Sequence, residues 1–188
     1  MKILVCISHV PDTTSKINFV NNDTEFDTNG VQYVINPNDE FGLTKAIVLK
    51  EQNGAHVTVV NVGGADAEAT LRKALAIGAD EAIRVNIQPK DGLFVAKQLA
   101  NVVKQVGYDL IIAGKKGLVE EKDLRIPNMR GIMTARTKAL NVVEPSSDAN
   151  ATSSIKFEKP APKSAVKLIS ADNLDELINL LHNEAKVI

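Results

Sequence analysis

Asn36-Pro37-Asn38-Asp39-Glu40 and Gly114-Lys115 are the residues of this chain best suited to hold a charged ligand. The first group places Asn or Asp at a helix start. Free backbone amides and the positive end of the helix dipole gather there, and both suit a phosphate or a purine edge. Plain helix capping is the competing reading. The second group lets the backbone approach a phosphate with a lysine beside it; its plainer reading is a turn with a solvated lysine. Covalent chemistry has less support. Gly63-Gly64 is not followed by the Gly-Lys-Ser/Thr of a phosphate-binding loop, and no strand leads into Gly-x-Gly-x-x-Gly. His9, His56 and His182 lie far apart with no Ser or Cys elbow and read as surface or loop histidines. No Cys/His cluster has metal-ligand spacing.

These residues sit where short apolar runs end. Ile3-Leu4-Val5-Cys6-Ile7, Val57-Thr58-Val59-Val60 and Leu110-Ile111-Ile112-Ala113 stop on small or polar residues, and Glu81-Ala82-Ile83-Arg84-Val85 adds a fourth run. Continuous runs of this kind suit strands covered on both faces by helices. Helices are expected from Asn36 to about Gln52, from Asp66 as N-cap to Ile77, and from Asp91 to Val106, closing at Gly54, Gly78 and Gly107. Residues 13–33 read as a small antiparallel excursion turning at Asn21-Asn22-Asp23 and Asn29-Gly30. The fold class is therefore α/β, an open and mostly parallel sheet with helices on both faces. In such a sheet a ligand sits beyond the carboxyl ends of the strands.

Beyond Gly114 the alternation stops, and residues 116–122 carry no strand of the earlier kind. Arg125, Arg130, Arg136 and Lys138 surround Ile126, Met129, Ile132 and Met133 in a loop leading to a short helix. Apolar residues ringed by charge read as a docking surface, against the blander amphipathic helix. Residues 145–162 are rich in Ser, Pro, Lys and Ala, which cannot bury a core, so residues 144–188 are expected to form an arm after a domain of residues 1–143. An amphipathic helix from Asn173 to about Ala185 ends it.

Composition narrows the partners. Lys+Arg 22 against Asp+Glu 23 leaves a net charge of -1 over 188 residues, so no global basic field points to nucleic acid. No apolar run reaches the roughly 18 residues of a membrane span. Cys6 is the one cysteine, which excludes an intrachain disulfide and reads as a buried thiol. With strand character beginning at residue 3, no signal peptide is expected and the chain is expected to be cytoplasmic.

Five phrases, Lys2-Ile-Leu-Val-Cys-Ile-Ser-His-Val-Pro-Asp12, Ile35-Asn-Pro-Asn-Asp-Glu-Phe41, Ala74-Leu-Ala-Ile-Gly-Ala-Asp80, Asp109-Leu-Ile-Ile-Ala-Gly-Lys115 and Ile132-Met-Thr-Ala-Arg-Thr-Lys138, resemble the beta subunit of electron-transfer flavoproteins. The first four fall in family order, and the fifth and the arm resemble its C-terminal portion. The resemblance implies an adenine nucleotide alpha-hydrolase-like fold and a non-catalytic electron-carrier subunit. It implies an alpha subunit carrying most of the FAD contacts, AMP held structurally by this subunit, and docking on acyl-CoA dehydrogenases or related flavoproteins.

Carried across by position, the resemblance places AMP against Cys6, Asn36, Pro37, Asn38, Asp39, Val62, Gly114 and Lys115, with backbone groups serving at Cys6 and Val62. It places the docking segment over residues 126–135, with Ile126, Met129, Arg130, Ile132 and Met133 at the contact and Ile126 or Met129 as anchor. Against the family pattern the chain is internally shortened after Lys115, where a phosphate loop, a helix and several strands would stand. The alternative is a stand-alone adenine-nucleotide-binding module of stress or sensor type, which predicts nucleotide binding without an alpha partner.

Overall fold

Ile3, Leu4 and Val5 are all inaccessible to solvent, so the first strand is covered on both faces. The computed structural model describes residues 1–114, 119–161 and 166–188. In chain order, β1 (Lys2–Cys6) leads into an excursion of β2 (His9–Pro11), β3 (Phe19–Val20), β4 (Glu25–Phe26) and β5 (Tyr33–Ile35). Then come α1 (Pro37–Asn53), β6 (His56–Val62), α2 (Glu68–Ile77), β7 (Glu81–Val85), α3 (Gly92–Val106) and β8 (Leu110–Ile112). The first unit, Met1–Phe157, also holds α4 (Met129–Ala135) and β9 (Leu140–Val143).

The main sheet is five-stranded and parallel, in the order β8-β1-β6-β7-β9, with Ile3 opposite Val57 on one side and Leu110 on the other. Alternate residues feed two cores. Ile3, Val5, Val57, Val59 and Ala82 pack with Leu43 and Ile47 of α1 and Leu71 and Leu75 of α2. Leu4, Val60, Val62, Ile83 and Val85 pack with Val95, Leu99 and Val102 of α3. Each fully buried aliphatic side chain contributes roughly 1.5–3 kcal/mol, which is why this pattern selects a sheet clad on both faces.

The order of strands fixes where a ligand site can form. From β1 the chain steps to β6 and then β7, whereupon α3 returns it to β8 on the opposite side of β1. The β1/β8 boundary is thus the topological switch point, with a crevice beyond its strand ends. The excursion borders it. Its β2 pairs with β5 and β3 with β4, antiparallel as expected, around Asn21, Asn22 and Asp23 at φ 53, 58 and 62°. Asn and Asp tolerate this left-handed backbone better than other side chains. Phe157 stacks on Phe19 at 5.1 Å and donates its amide to Asp23 O at 2.7 Å, so the chain just after the sheet is fixed to the excursion.

The structure adds one strand to those expected and corrects two expectations. A fifth parallel strand exists: β9 pairs with β7 in the register Ala82 to Leu140, although its sequence holds no continuous apolar run. Asp66 is not the cap of α2; it lies in a 3-10 turn, Ala65–Ala67, and α2 starts without a side-chain cap. His9 is no loop histidine; it belongs to β2 and is largely enclosed. The other caps stand: Asn36 accepts from Asn38 N, Asp91 accepts from Phe94 N, and Gly54 and Gly107 close α1 and α3 with positive φ.

The second unit, Glu158–Ile188, contains α5 (Leu174–Asn179), capped by Asn173 and continued by a π-type turn over Leu180–Glu184. Lys167 pairs with Glu176 at 3.2 Å within it.

Candidate functional site

At the switch point the residues singled out by sequence converge, and they bond chiefly to one another. The Asn36 amide donates to Ser8 O at 3.0 Å, holding the start of α1 against the chain leaving β1. Asp39, 6% exposed, accepts from Ser8 N at 2.8 Å, and the amide of Gly114 also faces its carboxylate. Burial raises the Asp39 pKa above the ordinary carboxylate value, against the opposing pull of those two amides. Gly114 has no room for a side chain: a Cβ would run into Asp39 Oδ1 and lie 2.5 Å from its Cα and N. Asn36, Pro37, Asn38, Asp39 and Gly114 therefore form a knot joining β1, α1 and β8. Lys115 lies outside the described residues.

Cys6 and Val62 line a different feature, a cleft of about 1280 Å³ beyond the ends of β1 and β6. The Cys6 thiol is pushed up to about 11, first by burial and then by the Asp39 charge, so it stays protonated and is no nucleophile. Val60, Val62, Val95 and Leu99 make part of the lining apolar, while Ser8, His9, Asn61 and Thr70 make part of it polar. The knot residues are not in this lining.

His9 is the most constrained side chain of the cleft. Its ring stacks on Tyr33 at 4.4 Å, Nδ1 bonds Thr70 Oγ1 at 2.8 Å, and Nε2 lies 3.6 Å from Asp66 Oδ2. Burial lowers its pKa, and the Asp66 charge opposes that without reversing it. Asn61, 3% exposed, donates Nδ2 to Ile7 O at 2.8 Å while its Oδ1 has no partner among the described residues. These residues were missed by sequence reasoning. Their signal was present: Asn61 interrupts the β6 run at its carboxyl end, and His9 follows β1 directly.

An adenine nucleotide fits this arrangement in part. Part of the lining around Cys6 and Val62 is apolar, as the face of a planar base would require. The knot does not accommodate a phosphate, because the amides of Ser8 and Gly114 are turned to the Asp39 carboxylate, whose charge would oppose an anion. Among the described residues no group of three or more His, Cys, Asp and Glu could hold a metal ion, and no helix is long and apolar enough to cross a membrane.

The second feature is α4 and the chain before it. Asn128 caps α4 by accepting from Gly131 N at 2.7 Å, and Gly131 permits close approach to Ala76 O of α2. The two helices exchange cations. Arg72 Nη1 donates to Ala135 O and Lys138 O, each at 2.8 Å, while Lys138 Nζ donates to Leu75 O at 2.8 Å and Ala79 O at 2.6 Å. Burial lowers the Lys138 pKa, followed by repulsion from Lys50. On this braced segment Ile126 is 78% and Met129 75% exposed, with Met133 and Ile132 also exposed. The side chains of Arg130 and Arg136 have no ion-pair or hydrogen-bond partner among the described residues.

Comparison with known proteins gives the family. The family model of the electron transfer flavoprotein domain covers residues 23–124, more than half of the chain. An electron transfer flavoprotein subunit beta of Clostridium acetobutylicum is 38% identical over 122 residues, 63% of this chain and 46% of the relative. That of Bacillus subtilis is 36% identical over 118 residues, 61% of this chain and 45% of the relative. The acryloyl-CoA reductase electron transfer subunit gamma of Anaerotignum propionicum is 31% identical over 124 residues, 63% of this chain and 46% of the relative. The chain spans about half the length of the curated relatives it matches.

Proposed function

Since the chain belongs to the electron transfer flavoprotein family, with the beta subunit as its type, we propose that it is one half of a two-subunit electron carrier of the cytoplasm and not itself an enzyme. Its partner would be an alpha subunit holding most of the FAD contacts. When bound, the flavin supplies the redox chemistry; this chain supplies orientation and a docking surface. Residues 126–136 would meet the electron donor, an acyl-CoA dehydrogenase or a related flavoprotein, with Ile126 and Met129 as protruding anchors. Of the expected arm of residues 144–188, the part after Phe157, residues 158–188, would reach over the alpha subunit.

The observation that carries this reading is the braced α4 segment. Exposing large apolar side chains beside unpaired arginines gains nothing for an isolated chain, and the combination fits a partner surface. AMP would enter the cleft at Cys6 and Val62, its base against the apolar lining, while the knot of Asn36–Asp39 and Gly114 would shape the crevice from outside it. Co-expression with an alpha subunit, followed by size-exclusion chromatography with a visible absorbance scan, tests the assignment. A yellow heterodimer is expected. A colourless chain that elutes alone refutes the role and leaves nucleotide binding without a partner as the function to pursue.

A further inference from the structure

Beside the protruding anchors there is a recess of about 550 Å³ between α2 and α4. Ala76 and Ala135, both buried, lie at it with side chains too short to fill the space, and Ile132 supplies an apolar wall. Pro127, Arg72, Lys73 and Arg136 complete the lining, and no carboxylate belongs to it. The three cations are not equivalent. Arg72 is committed to Ala135 O and Lys138 O, and Lys73 is paired with Glu40 at 2.8 Å. Arg136 is unpaired among the described residues, as is Arg130 on the same short helix segment.

We propose that this recess receives an aliphatic side chain of the docking partner, flanked on that partner by carboxylates that pair with Arg136. The proposal rests on the docking role of residues 126–136 and gives it a second direction. The chain would insert Ile126 and Met129 into its partner while accepting one side chain in return. Charge complementarity selects the occupant. A cation entering the recess would meet Arg72, Lys73 and Arg136, and like charges this close carry a penalty. A polar side chain would set its polar group against the apolar Ala76, Ala135 and Ile132. An aliphatic group satisfies the wall, and a flanking carboxylate satisfies Arg136, the cation of the lining whose side chain has no partner among the described residues.

The test uses the full chain labelled with 15N and three blocked peptides: a leucine between glutamates, the same with alanine for leucine, and the same with lysines for glutamates. The Glu–Leu peptide is expected to shift the amide resonances of Ala76, Ile132, Ala135 and Arg136. The other two should bind at least tenfold more weakly. Arg136→Glu should invert the preference towards the lysine peptide, and Ala76→Leu should abolish binding by filling the recess. If Ala76→Leu fails to fold, Ile132→Asn on the exposed wall replaces it with the same expected loss. Absence of shifts with the Glu–Leu peptide, shifts away from the recess, or equal binding of the lysine peptide overturns the proposal. Met129→Glu separates it from the wider docking role. Loss of electron delivery in Met129→Glu, with delivery unchanged in Arg136→Glu, overturns the recess and leaves docking in place. Delivery unchanged in both overturns the two together.

Discussion

The ends of β1 and β8 and the surface of α4 use their residues in opposite ways. At the strand ends, Asp39 is buried and its acceptor capacity goes to the amides of Ser8 and Gly114. On α4 and at its end, Met129 and Met133 stand in solvent and the side chains of Arg130 and Arg136 bond nothing among the described residues. One region has turned its polar groups inward and gained rigidity. The other is held rigid from behind by Arg72 and Lys138 and keeps its outer face unused. Residue type alone would have assigned ligand binding to the first as readily as docking to the second. What separates them is whether the interaction capacity is already consumed.

The sharpest way to break the contrast is Gly114→Ala. Its Cβ has to displace the Asp39 backbone, so a loss of about 3 kcal/mol is expected in urea denaturation. A loss under about 1 kcal/mol would mean that the knot yields easily. Asp39→Ala should cost about 2 kcal/mol by stranding the Ser8 and Gly114 amides, measured the same way. Met129→Glu should leave stability within about 0.5 kcal/mol, because the side chain is exposed, yet slow electron delivery about tenfold through a lost anchor. Stopped-flow flavin reduction would show it. An equal loss of stability would move Met129 into the first class.

The smallest effect concerns pH. Burial depresses the folded-state pKa of His9, so the unfolded chain takes up a proton first on acidification. The stability tied to the neutral ring is fully present above the ordinary histidine value of 6.5 and is lost as pH falls through the depressed folded value. In His9→Gln the slope of stability against pH just below 6.5 should flatten relative to the parent chain. An unchanged slope would assign the acid response elsewhere.

Sequence made the sheet legible wherever burial was two-sided. β1, β6 and β7 carry continuous apolar runs because both faces are covered, and Asn36 and Asp91 announce their helices by side chains that do cap. β9 was not legible. It lies at the sheet edge with Asn141 and Val142 exposed, so its pattern carries no run to notice. The site was legible only in part. Sequence brings Asn36–Asp39 and Gly114 to the same strand ends, and the structure agrees, but no spacing rule reveals that they bond each other. The cleft depends on Asn61, His9 and Thr70 meeting across β6, β2 and α2, and that is a property of topology.

The exchange of cations between α2 and α4 constrains how this protein can change over generations. Arg72 serves carbonyls at the end of α4, including that of Lys138, and Lys138 serves Leu75 and Ala79 at the end of α2. Replacing either one abandons carbonyls at a helix terminus and removes support from the other helix, so the second loss should cost less than the first. Drift at the two positions is therefore tied. A lineage that gives up one of these cations removes most of the reason for keeping its counterpart, and the surface they brace then becomes free to change its partner.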